Sequence, residues 1–159
     1  MSVSGPPGTP PSSPTGVVIV DHGSRKPASN EMLHEATRIF GAQSDYSIVE
    51  PAHMELAQPD IAAAFRSCVK QGATRVVVFP YFLSPGRHWS EDIPRLVADA
   101  AKPFPNVEWI VTAPFGLHPG MSAIINDRIR HCLGVASGQQ MEESCDVCRE
   151  QGRCELYGG

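Results

Sequence analysis

Four short apolar runs recur along the chain, at 17–21, 46–51, 75–82 and 107–113, and each leads into a stretch whose apolar residues fall at helical spacing. The runs favour β-branched side chains and lack polar alternation, the pattern of strands buried on both faces of a parallel sheet. The helical stretches carry Met32, Ala36, Ile39 and Phe40, then Ile61, Phe65 and Val69, then Ile93, Leu96, Val97 and Ala100, and last Ile125, Ile129, Cys132 and Leu133. Gly41, Gly72 and Gly134 stand where left-handed C-terminal caps are expected, and Pro59 and Pro119 suit first helical turns. Strands joined through helices run parallel with right-handed crossovers. The pattern therefore predicts an α/β fold, a three-layer sandwich around a four-stranded parallel sheet. The most economical order is the flavodoxin-like 2-1-3-4. It sets strands 1 and 3 side by side where the strand order reverses, and ligands bind at such reversal points.

A length of 159 residues gives room for one domain with a substantial core. Residues 1–15, rich in proline, serine and glycine, read as a disordered arm. The domain proper is expected over 16–134, with a cysteine-bearing tail over 135–159. No run approaches the roughly 20 apolar residues that a membrane-spanning helix requires. A net charge of −4 argues against a nucleic-acid partner, which calls for a basic face. Five cysteines, three of them bunched near the C-terminus, do not form the paired framework of a small secreted domain, so a reducing compartment is expected.

The chemistry concentrates just past strands 1 and 3, in Asp21-His22-Gly23-Ser24-Arg25 and Ser84-Pro85-Gly86-Arg87-His88. With the order 2-1-3-4, His22 and His88 face each other across one cleft. Imidazole is a good ligand for divalent iron, cobalt, nickel and zinc, and a proton acceptor near neutral pH. Two imidazoles without a third strong ligand hold a cation loosely, as delivery requires. Arg25, Lys26 and Arg87 supply donors for carboxylates, and Arg side chains do so as forks. Phe82, Leu83 and Trp89 are apolar surfaces close by. A phosphoryl-transfer reading of the first motif ranks lower, because Asp21 stands where such enzymes carry an arginine before the histidine. His34, His118 and His131 read as surface or capping residues, and Cys68 as a buried apolar thiol.

These two motifs, with Phe79-Pro80-Tyr81-Phe82-Leu83 leading into the second, resemble the class II tetrapyrrole chelatases in their small single-domain form, the sirohydrochlorin chelatases, over roughly residues 16–133. The resemblance implies a chelatase-like fold, insertion of Fe2+, Co2+ or Ni2+ into sirohydrochlorin, and a homodimer. It implies that His22 and His88 hold the metal. Glu55 matches the glutamate that precedes Leu-Ala after strand 2, although His53-Met54 replaces an apolar pair found in relatives. Catalytic roles are expected for His22, His88 and Glu55. Contacts to the polycarboxylate substrate are expected from Ser24, Arg25, Lys26 and Arg87. The alternative is a non-catalytic metal or iron–sulfur carrier.

Cys145-Asp146-Val147-Cys148 and Cys154 give C-x2-C and C-x5-C spacings in a polar stretch. Spacing alone leaves open a metal cluster, a zinc knuckle, a redox disulfide or a tail without metal. The tail resembles that of the plant plastid iron-inserting members of the family. That implies an iron–sulfur cluster on Cys145, Cys148 and Cys154, with Cys132 or a second subunit's cysteine as fourth ligand. It also implies a chloroplast location, with the transit peptide outside these residues.

Overall fold

The computed structural model describes residues 14–139 and 145–147. Contacts group them into two compact units, one ending at Gly116 and the other beginning at Leu117. In the first unit the chain runs β1 (Thr15–Asp21), α1 (Pro27–Gln43), β2 (Ile48–His53), α2 (Ile61–Lys70), β3 (Arg75–Pro80), a π-helical turn (His88–Asp92), α3 (Ile93–Ala101) and β4 (Glu108–Val111). The strands are all parallel in the order β2-β1-β3-β4, as the sequence pattern predicts.

β1 is buried along its uninterrupted apolar run because β2 and β3 cover its edges and helices cover both its faces. Val17 and Ile19 point to one face and pack with Leu33 of α1. Val18 and Val20 point to the other and join Ile61, Ala64 and Phe65 of α2 and Ile93 and Val97 of α3. One helix on one face and two on the other make the three layers. The register sets Asp21 beside His53 and Val20 beside Pro80, so β1, β2 and β3 end together at one edge.

Several local expectations are corrected. The inward face of α1 is Leu33 and Thr37, while Met32, Ile39 and Phe40 are exposed. Thr37 is tolerated inside because its hydroxyl donates to the Leu33 carbonyl at 2.7 Å. Gly41 lies within α1 and ends nothing; it faces Val49 of β2, with room for a Cβ at 3.6 Å. Gly72 does follow α2 with φ +101. Pro59 precedes the cap of α2, Asp60, whose carboxylate accepts the Ala63 N–H at 2.8 Å. β4 covers only Glu108–Val111 and is largely exposed, as an edge strand.

The second unit contains α4 (Gly120–Ala136). Pro119 stands just before it, and His118 Nδ1 accepts the Gly120 N–H at 3.0 Å, a capping role. Gly134 lies inside α4, and the left-handed residue beyond the helix is Gly138. Ile124, Ile125, Ile129 and Leu133 are exposed along it. Among the described residues, no helix is long and apolar enough to cross a membrane.

Cys68 sits fully buried under β1, and burial, with Glu50 nearby, pushes its thiol up to about 12. Gly16 faces it so closely that an added Cβ would lie 2.8 Å from the Cys68 Cβ. Gly16→Ala is therefore expected to cost about 1–3 kcal/mol by overpacking. The loss should appear as a lower denaturant midpoint with unchanged slope, and an unchanged midpoint would contradict this packing.

Candidate functional site

The two strand-end loops bring His22 and His88 together, with ring centroids 5.0 Å apart and planes at 65°. This is the convergence that the order 2-1-3-4 requires. His22 Nε2 lies 2.8 Å from Glu55 Oε1, and its Nδ1 is 3.2 Å from the Gly23 carbonyl. His88 Nδ1 lies 2.7 Å from Asp92 Oδ2, one helical turn on. A ring nitrogen fixed on a carbonyl or carboxylate settles which nitrogen points the other way. His88 is thereby oriented with Nδ1 anchored and Nε2 available, whereas both nitrogens of His22 are partnered, Nδ1 by the Gly23 carbonyl and Nε2 by Glu55. The His22 and His88 side chains are 42% and 53% exposed, so the site opens to solvent.

The anchors have identifiable origins. Glu55 is held by pairing of its loop with the turn after β1, where Met54 N–H donates to the Asp21 carbonyl at 2.8 Å and Glu55 N–H to the His22 carbonyl at 3.1 Å. Leu56 follows with φ +68, an uncommon angle for a residue with a side chain. Gly23 is required: its φ is +88, and a Cβ there would lie 1.8 Å from the Glu55 carbonyl oxygen. Across the cleft, the π-helical turn carries His88, and Trp89 ties it down by donating Nε1–H to the Thr112 carbonyl at 2.8 Å. Such turns recur at functional sites. The hydrogen bond from His88, with Arg95 behind it, holds the Asp92 carboxyl below the usual carboxylate range.

The residues expected to meet a polyanion lie around this pair. Arg25 and Lys26 are exposed on the turn between β1 and α1. Arg87 is exposed and lies 3.5 Å from Glu91. Ser24 is committed locally: its hydroxyl accepts the Lys26 N–H at 3.0 Å, while the Asn30 side chain bonds both its N–H and its carbonyl. Asn30 was not signalled by any motif. Among the described residues, no three His, Cys, Asp or Glu side chains stand ready to enclose an ion.

The expectation for His34 is corrected, since it is not merely a surface residue. His34 Nε2 lies 3.0 Å from Nε2 of His53, whose Nδ1 lies 2.6 Å from Asp21 Oδ1. His34 also lines a cleft of about 380 Å3 with Thr37, Tyr46 and Pro51. No sequence signal marked this chain of polar contacts, because it joins β1, β2 and α1 in space.

In the second unit, Cys132 is exposed on α4 and Cys145 is half-buried. Arg128 pairs with the Asp146 carboxylate, and its Nη1 is 4.0 Å from Cys145 Sγ. Asp146 chiefly raises the affinity of that guanidinium for its proton, with smaller contributions from Cys145 and Cys132. Cys148 and Cys154 lie outside the described residues.

Several known proteins resemble this chain. Over 142 residues the chain is 54% identical to the chloroplastic sirohydrochlorin ferrochelatase of Arabidopsis thaliana, covering 89% of this chain and 62% of that protein. It is 29% identical to the sirohydrochlorin cobaltochelatase of Priestia megaterium, covering 87% of this chain and 44% of that protein. The solved structure of SirB from Bacillus subtilis with Fe3+ superposes with a TM-score of 0.70 at 27% identity, over 74% of this chain and 46% of that one. The chain thus spans about half to two thirds of the length of these relatives. The CbiX family matches residues 16–132, which include both histidine loops and all four strands but for the first residue of β1, and the chain belongs to that family.

Proposed function

We propose that this chain is a metal-inserting lyase that places Fe2+ into sirohydrochlorin, with Co2+ or Ni2+ as substitutes that imidazole also suits. The observation that carries the reading is the meeting of His22 and His88 at the edge where β1 and β3 end. Its support from likeness is the Arabidopsis thaliana relative, whose name is that activity.

The geometry suggests how the residues divide the work. A divalent ion enters between the two Nε2 atoms, taking the place of the Glu55 contact on His22. Two imidazoles grip it weakly enough to release it. The ring gives up two N–H protons as the ion crosses into it, so one metallated ring and two protons leave for each ring and ion that enter. Glu55, freed from His22, is the carboxylate best placed to take the first proton. The approaching cation makes that proton more acidic. Arg25, Lys26 and Arg87, with the Ser24 turn, meet the ring's carboxylates.

The same reading gives the tail an iron–sulfur cluster on Cys145, Cys148 and Cys154, with Cys132 as fourth ligand. Thiolates are the ordinary ligands of such clusters, and Arg128 lies near enough to Cys132 and Cys145 for both to influence it. A bound cluster supplies one-electron chemistry, and no step of insertion passes through it. We also assign a homodimer, supported by the exposed apolar residues of α4, and a plastid location like that named for the Arabidopsis thaliana relative.

Replacing His22 or His88 singly with alanine should slow formation of the metallated ring from sirohydrochlorin and Co2+ by about 100-fold or more, with circular dichroism unchanged. Rates near that of the unaltered protein in both variants would defeat the catalytic assignment of the two histidines, and an unaltered protein no faster than the protein-free reaction would favour the carrier over the enzyme. The paired change Cys145→Ser and Cys148→Ser should remove bound iron, sulfide and visible absorption from anaerobically prepared protein while insertion continues. Retention of iron and sulfide would remove the cluster assignment.

A further inference from the structure

We propose that His53 is a positioning residue, which acts through Asp21 to fix the turn that presents His22. The inference rests on the reading of His22 as a metal-holding side chain. His53 is 0% exposed at the end of β2, where an apolar residue would pack without the cost of burying two ring nitrogens. Both nitrogens are nevertheless partnered, Nδ1 by Asp21 at 2.6 Å and Nε2 by His34 at 3.0 Å. The two rings stack with centroids 5.1 Å apart and planes at 29°.

The contact reaches the site through a single atom. Asp21 Oδ1 accepts from His53 Nδ1 and also accepts the Gly23 N–H at 2.9 Å. His22 stands between these two residues in the chain, so its backbone is clamped on both sides. The turn has little slack, because the Gly23 Cα already abuts the Glu55 carbonyl. A proton on His53 Nδ1 leaves its Nε2 as the acceptor for an N–H from His34. His34 thereby selects the ring form that can donate to Asp21. The line of force runs from α1 through β2 to the carboxylate, and from there to the Gly23 amide. Without the donor at His53, the Asp21 carboxylate swings toward solvent, the turn loosens and His22 loses its alignment with Glu55 and His88.

The test compares His53→Leu, which removes the donor, with His53→Asn, which keeps an N–H near the position of Nδ1. Outer partners of metal-holding histidines commonly contribute 10- to 100-fold, so His53→Leu should lower kcat for Co2+ insertion by about tenfold or more while KM for sirohydrochlorin holds. His53→Asn should recover most of that loss. Amide hydrogen exchange at Gly23, followed by NMR on the full chain without metal, should quicken in His53→Leu and remain slow in His53→Asn. If His53→Leu does not fold, Asp21→Ala should quicken the same amide. The inference is overturned if Gly23 exchange is unchanged in the folded variant that lacks the bond. It is also overturned if His53→Asn is as impaired as His53→Leu, or if the turn loosens and kcat holds. Full activity in His22→Ala would defeat the reading of His22 as a metal-holding side chain instead, and the Gly23 exchange result would still decide the positioning contact.

Discussion

Parallel pairing of β1 with β2 on one side and β3 on the other determines where every reactive group lies. Asp21 ends β1 beside His53, and Val20 lies beside Pro80, so three loops leave one edge at the same level. The register is enforced by the alternation of β1, with Val17 and Ile19 toward α1 and Val18 and Val20 toward α2 and α3. A slip of one residue would exchange those faces and move His22 away from both Glu55 and His88. The hydrophobic core thus sets a distance between two polar rings that make no covalent or backbone link with each other.

Charge is arranged around the pair in two zones. Close in are carboxylates: Glu55 on His22, Asp92 on His88 and Asp21 beneath the turn. They favour a cation and can receive protons. On the flanking turns are Arg25, Lys26 and Arg87, all exposed, the residues proposed to meet a polyanion. That division suits a reaction in which a cation and an acid-bearing ring arrive separately and protons depart. Nδ1 of each imidazole is anchored, on the Gly23 carbonyl and on Asp92, which suits the proposal that both rings offer Nε2 to one ion.

Much of this was legible in the sequence, for physical reasons. The apolar runs of β1 and β3 are long and β-branched, so strand placement, parallel order and the meeting of His22 with His88 followed from periodicity and connectivity. Glu55 was reached through a resemblance, because nothing in its own neighbourhood distinguishes it from a surface glutamate. The inward face of α1 was displaced by one residue, since Met32 and Phe40 outweigh Leu33 and Thr37 in apolarity while the hydroxyl of Thr37 is satisfied locally. Gly41 and Gly134 looked like caps because a glycine near the end of a helical pattern leaves the same mark in sequence whether it ends the helix or lies inside it, as both do. The contact between His34 and His53 joins a helix to an edge strand and has no local signature.

The central claim is that one ion is shared by His22 and His88. X-ray absorption on the Co2+-loaded protein tests it most directly, because imidazole rings scatter distinctively at the metal. Two imidazole nitrogens at about 2.0–2.1 Å are predicted, by analogy with zinc–histidine bonds, falling to one in His22→Ala and in His88→Ala. A cobalt spectrum with no imidazole, or one unaltered in both variants, would contradict it.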